Sequence, residues 1–449
     1  MSTIVLLLLL LIGIAIYFVN PKSFFLYWLS IQPFILPVFY LLFVNDFTPV
    51  ADKFLPLYFE FPQKLGFLMV FLLLLSFHRS DKGLKSLKVL FLPLFLLASF
   101  LLVQNILVGF DARALYTNAK SILWSVVPLA LLVVDKRLRP TRKSFIRFIF
   151  VFVYVQSFFC ILNWGGITIY GDVTGGFDEH LLCGTFTRYN HMANYLTVFF
   201  FILTYECFGS KRIKRKKYFG MAFLIGFLIL ISGSRMALML YVFTCFYFFC
   251  VYYQNKKFVF ITIVLSVLLL GFYLKGNKNF SGQGADEGTG YERNMIGVID
   301  LANADDITEG NTLSMSAQVL FFYLNSPYMG NGQLYREGFF YGNPKDPRDT
   351  YNNADVFKTD ARLAFMFVEY GIIGLCMFFY LFASMYKGCY LYSEEKNKAL
   401  YWGAGLYFLL FSLTDNGFWD YIIFPSILIY VFSKRNFSEK ATSRLLEKI

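Results

Sequence analysis

Runs of about twenty apolar residues recur along the whole chain, and they limit its possible folds more than any motif does. A helix of about 20 residues is long enough to cross the hydrocarbon core of a bilayer. The runs read as spans are Thr3–Val19, Phe24–Val44, Leu65–Phe77, Val89–Leu107, Ile122–Val134, Phe145–Leu162, Met192–Cys207, Tyr218–Ser232, Met236–Tyr253, Phe258–Leu274, Leu363–Met385, Ala399–Leu413 and Tyr421–Phe432. Several are short, so the expectation is about thirteen spans, within a range of about twelve to fourteen. In lipid there is no water to bond the backbone, and a helix is the segment that satisfies its own N–H and C=O groups. The fold class expected is therefore an all-α polytopic membrane protein. A charged fraction of 16%, against about 25% in soluble domains, agrees with that.

The net charge of +12 invites a nucleic-acid reading, but its distribution argues against one. Lys and Arg gather in short connections, at Lys136–Lys143, Lys211–Lys217, Lys256–Lys257 and the tail after Ser433. That is the positive-inside bias of cytoplasmic loops. The richness in Phe and Tyr suits lipid and its interfaces, so no nucleic-acid partner is expected. The seven cysteines lie mostly in apolar runs with no CxxC, which gives neither a disulfide framework nor a zinc site. Met1–Val19 lacks a basic n-region and a small-x-small cleavage site, and it reads as a retained span.

If the basic connections are cytoplasmic, the spans alternate so that Asn45–Lys64, Val108–Lys120, Asn163–His191, the turn Ser232–Arg235, a long polar segment and Thr414–Asp420 face outward. The chain then divides into residues 1–274 with spans one to ten, a large outer loop over residues 275–362, spans eleven to thirteen over residues 363–432, and a basic cytoplasmic tail over residues 433–449. The loop, Lys275–Arg362, opens on a Gly- and Asn-rich stretch, Asn277–Gly290, and turns at Pro327 and Gly330-Asn331-Gly332. Internal repeats are not visible.

Three outer clusters carry candidate chemistry. The first, Cys183-Gly-Thr-Phe-Thr-Arg-Tyr-Asn-His-Met-Ala-Asn-Tyr195, places Arg188, Asn190, His191 and Asn194 at the bilayer edge, where polar groups are costly unless satisfied or used. The structural alternative is that Asn190 caps the following helix and Arg188 snorkels to headgroups. The second is Ile231-Ser-Gly-Ser-Arg-Met-Ala-Leu238, a tight turn with Ser234 before Arg235. A guanidinium there offers a planar fork for phosphate oxygens, or it meets lipid phosphate without specificity. The third closes the loop, with Asp360 and Arg362 at the return to the bilayer and Glu369 about two helical turns further in. These are either functional groups or interhelical ion pairs.

The same clusters carry a resemblance. GTFTRYNHMANYL, ISGSRMAL, and SPYMGNGQL followed by TDARLAFMFVEYGIIGL resemble, in order and spacing, the motifs of the O-antigen polymerase and O-antigen ligase superfamily. The resemblance covers roughly residues 180–385. It implies the GT-C-like architecture of multi-span lipid-linked glycosyltransferases, and glycosyl transfer at the outer face of the bacterial inner membrane. The implied donor is an undecaprenyl-pyrophosphate-linked oligosaccharide. No cofactor, metal or nucleotide sugar is expected, and a flippase, a chain-length regulator and membrane lipids are the implied neighbours. Arg235 matches the family's SR arginine and is read as the pyrophosphate ligand, with Arg188 as a second candidate. His191, Asp360 and Glu369 remain alternative general bases. Asn190, Ser234, Arg293, Arg336, Tyr351 and Arg362 are read as substrate-binding, and the middle of the loop as a cover and acceptor guide.

Two departures bear on the activity. Many family members carry an arginine in the helix before the P-x-x-G-x-G turn, whereas Thr312–Gln318 has none, which leaves Arg293 or Arg336 to substitute. Ligases tend to place a histidine near the end of the big loop, and Lys275–Arg362 has no histidine. That favours a polymerase over a ligase. A polysaccharide or glycolipid transporter is the reading from another class, and it would ordinarily carry internal repeats.

Overall fold

The computed structural model describes residues 2–43, 65–77, 87–108, 112–167, 169, 182–187, 189–209, 212–232, 234–252, 328–330, 362–414 and 423–434. The helices are α1 (Ser2–Val19), α2 (Phe24–Ser30), α3 (Leu36–Phe43), α4 (Leu65–Phe77), α5 (Lys88–Val108), α6 (Ala112–Val134) and α7 (Arg142–Trp164). They continue as α8 (Tyr189–Gly209), α9 (Arg212–Ser232), α10 (Arg235–Tyr252), α11 (Arg362–Tyr392), α12 (Lys398–Thr414) and α13 (Ile423–Phe432). Among the described residues the β-structure is a single bridge between Thr141 and Lys434. Among the described residues, four stretches are long and apolar enough to cross a bilayer: Pro21–Leu42, Lys88–Leu107, Arg142–Trp164 and Tyr370–Tyr392. The expected span Phe258–Leu274 and nearly all of Lys275–Arg362 lie outside the described residues.

Several helices outrun the apolar windows. Helix α9 begins at Arg212 and absorbs a basic stretch expected as a loop, and α6 begins at Ala112 rather than Ile122. Lys, Arg and Ala favour helix almost as well as Leu, so hydropathy marks where lipid is met and not where the helix stops. The Phe24–Val44 run is not one regular helix. A π turn over Ile31–Ile35, closed by the Leu36 N–H on the Ile31 carbonyl, separates α2 from α3. Pro33 lies in that turn and has no N–H to offer an α-helical ladder.

Helix α8 is the axis of the bundle. It packs against α7, α9, α10 and α13, and Met192 through Leu203 are buried without a break. A helix apolar and covered on every side is an internal one. Aromatic rings fill its contact with α7: Phe152 stacks on Tyr195 with centroids 5.2 Å apart and meets Phe199 edge-on at 5.1 Å. The peripheral helices do the opposite. Phe91 and Phe95 on α5, Phe219 and Phe223 on α9, and Trp402 on α12 stand exposed. Large apolar side chains in such continuous display are at home in lipid rather than in water.

The two ends of the bundle differ. At one end Tyr17 reaches Ser76 at 2.9 Å and Asp135 at 3.3 Å, and Asp135 pairs with Arg137 at 2.7 Å. Burial pushes the Asp135 carboxyl up, but the Arg137 guanidinium and the Tyr17 hydroxyl outweigh it and hold the carboxyl below its ordinary range. A few residues on, Arg142 binds Glu206 and Tyr430 and meets Glu395 at 3.1 Å. The other end holds the C-termini of α5 and α7, the N-termini of α8 and α10, and the turn Tyr328–Gly330.

Candidate functional site

The turn before α8 is fastened by two amides of α7. Gln156, fully buried, donates from Nε2 to Thr185 Oγ1 at 2.7 Å and accepts from the Thr185 N–H at 2.9 Å. Asn163 accepts from the Gly184 N–H at 2.8 Å and donates to the Ile167 carbonyl at 3.0 Å. Gly184 has φ of 60°, and a Cβ there would overlap Gln156 Oε1 and lie 3.0 Å from Met192 Sδ. Glycine is therefore required twice over, by backbone conformation and by the close approach of α7. This fixed turn sets the start of α8 at Tyr189. Asn190, for which capping this helix was the structural alternative to substrate binding, is the second residue of its first turn. His191 follows it, half-buried, with Nδ1 3.1 Å from Gln32 Nε2 of the π turn.

The second cluster is a helix cap. Ser232 at the end of α9 donates to the Ile229 carbonyl at 2.8 Å. Ser234, buried at 1% exposure, accepts from the Ala237 N–H at 3.4 Å through its hydroxyl. That is the N-cap geometry, with the side-chain oxygen on the third N–H of the helix. It accounts for a serine just before Arg235 and puts Arg235 on the first residue of α10. Helix N–H groups and an arginine at the same terminus favour an anion together.

The third cluster is brought together from distant parts of the chain. Helix α11 is broken at Gly371, whose φ of 60° and ψ of −170° fall in a region closed to residues with a Cβ. The break makes room for the turn Tyr328–Gly330. The Ile373 N–H donates to the Tyr328 carbonyl at 3.1 Å, and a Cβ on Gly371 would overlap that same carbonyl and sit 2.6 Å from the Gly330 nitrogen. From the other side Gln104 of α5 donates to the Met329 carbonyl. Gly374, one turn on, lets Phe100 of α5 close against α11, where a Cβ would meet the ring at 2.6 Å. The P-x-x-G turn and the E-x-G-I-x-G helix are thus one structural unit, clamped by α5.

Glu369 was expected about two helical turns beyond the loop's return, and the helix that starts at Arg362 keeps that spacing. Glu369 stands on the helical segment that precedes the break at Gly371. Arg362 opens the same segment. Arg188, Arg293, Arg336, Tyr351 and Asp360 lie outside the described residues. The amides Gln32, Gln104 and Gln156 escaped the reading of motifs. Gln32 and Gln156 are lone amides inside apolar runs and Gln104 is paired with Asn105 in another, which is itself a signal, since a buried amide in lipid needs a specific partner.

Comparison with known proteins adds one finding. Residues 220–379 match the family model described as O-antigen ligase. The match takes in most of α9, all of α10, and α11 through its break, so it contains the second and third clusters but not the first. It does not separate ligases from polymerases. No curated protein matches the chain.

Proposed function

We propose that this chain, whose residues 220–379 place it in the O-antigen ligase and polymerase superfamily, is a polymerase that joins undecaprenyl-pyrophosphate-linked oligosaccharide repeat units at the outer face of the inner membrane. The product would be an O-antigen, a capsule or an exopolysaccharide. What favours polymerase over ligase is that the chain's three histidines, His78, His180 and His191, all lie outside Lys275–Arg362.

In the reaction, the bond between the donor sugar's anomeric carbon and the pyrophosphate oxygen breaks. A new bond forms to an acceptor hydroxyl, whose proton passes to a base, and undecaprenyl pyrophosphate leaves. The anomeric centre is oxocarbenium-like in between, and negative charge grows on the leaving oxygen. Arg235 at the N-terminus of α10 suits that charge, because a guanidinium and helix N–H groups at one terminus both favour developing negative charge. Asp360 and Glu369 flank the return of the loop and are the carboxylates available as base.

The test uses membranes given purified lipid-linked repeat unit and no second acceptor. A ladder of product lengths is expected. Transfer that requires a lipid A-core or other acceptor would make the chain a ligase, and movement of intact glycolipid without bond exchange would make it a transporter. Arg235→Ala is expected to lower ladder formation by about 100-fold or more while the protein still inserts. Long chains made by a strain carrying only that variant would remove Arg235 from the mechanism.

A further inference from the structure

The π turn of the second span is built around α8. Pro33 cannot donate, which removes the usual helical donor of the Leu29 carbonyl. Tyr195 of α8 donates its hydroxyl to that carbonyl at 3.2 Å. One helical turn earlier on α8, and so on the same face, His191 meets Gln32, the residue just before Pro33. Two successive turns of α8 are therefore gripped by the one irregular turn of the span. Tyr195 is in addition wedged by Phe152, Phe186 and Phe199, so the helix cannot roll to carry His191 away.

Gln32 is 1% exposed, and among the described residues its Oε1 has no partner. The bond its amide makes there is the one to the imidazole. An N–H pointing at Nδ1 needs a lone pair on that atom. In the neutral ring the proton then sits on Nε2.

We propose that Gln32 is the positioning residue of His191: it holds the ring by Nδ1 in the Nε2–H tautomer, so that His191 meets the glycan or its pyrophosphate as a hydrogen-bond donor rather than as the general base. This rests on the reading that His191 belongs to the transfer site. It leaves the proton of the acceptor hydroxyl to Asp360 or Glu369. It also brings the second span, which lies outside the matched residues 220–379, into the site.

The test is a spectroscopic one on the full-length protein in nanodiscs. With three histidines in the chain, nitrogen-15 labelling of histidine gives a spectrum in which His191 is identified by its loss in His191→Asn. The expected result is an unprotonated Nδ1 and a protonated Nε2 in the wild type. In Gln32→Glu the carboxylate accepts from Nδ1, and the proton is expected to move there. Gln32→Leu is expected to mix the tautomers and to cut turnover about tenfold or more, with donor KM little changed. A wild-type ring protonated on Nδ1 overturns the proposal without any activity measurement. So does a wild-type tautomer retained in both Gln32 variants. If the tautomers behave as expected but His191→Asn polymerises at the wild-type rate, the grip is only structural and the proposal fails. If instead the wild type makes no ladder under any condition, it is the proposed reaction that is wrong.

Discussion

Gly371 has to leave the helical region and turn its backbone to the Tyr328–Gly330 turn. A side chain obstructs both. Gly371→Ala is expected to cost about 1–3 kcal/mol in backbone strain alone, with further loss from overlap with the Tyr328 carbonyl. Gly388, later in the same helix, has open space where a methyl group would stand, with no atom within 4 Å. Gly388→Ala should therefore leave stability unchanged or raise it by up to about 1 kcal/mol through helix propensity. Thermal unfolding of the two variants in the same nanodisc checks the contrast, and equal melting temperatures would show that the break at Gly371 is not required. The motif spelling was legible in the sequence at this scale. What Gly371 is for was not, because the atoms that exclude a Cβ come from 41 to 43 residues earlier in the chain.

Among elements, the end of the bundle remote from the candidate site is held by ion pairs and the other end by amides. Arg142, at the start of α7, binds Glu206 of α8, Glu395 between α11 and α12, and Tyr430 of α13, and its guanidinium lies 4.7 Å from the Tyr430 ring centre. The strand-like pairing of Arg142 N–H with the Lys434 carbonyl at 3.0 Å, and of Lys434 N–H with the Pro140 carbonyl at 2.9 Å, fastens the end of α13 to the same place. Removing the cation strands two carboxylates. Arg142→Met is expected to destabilise the protein by about 3–5 kcal/mol, and adding Glu206→Gln should recover a measurable part of that. Denaturant titration in mixed micelles of the single and double variants reads the coupling. Strictly additive losses would mean that Arg142 acts through packing alone. Lys and Arg in that connection were assigned in the sequence to topology. The bundle uses one of them, Arg142, as a junction of four elements, which charge counting does not reveal.

For the whole molecule, the ionic end coincides with the connections rich in Lys and Arg, and the end bearing the three motifs with the segments expected outside. This agrees with a bundle set across a bilayer with its site outward, and labelling tests it. In a background without the seven native cysteines, Asn277→Cys is expected to react with a membrane-impermeant maleimide on intact cells. Ser438→Cys is expected to react only after permeabilisation. The reverse pattern would turn the molecule over and with it the proposed reaction.

Helix content and the positions of most helices were determined by the sequence alone. In lipid every segment must close its own hydrogen bonds, so a span is a local property and a window of residues suffices to find it. The three clusters were also legible, as unusual polar spellings beside apolar runs. What the first and third pack against was decided only by tertiary structure. Gln32 finds His191 across 159 residues, and Gln104 finds Met329 across 225. A side-chain amide selects its partner by distance and direction in the packed bundle, and neither is encoded in spacing along the chain. The break at Gly371 was settled in the same way, since the Tyr328–Gly330 turn that it accommodates comes from the far end of the loop.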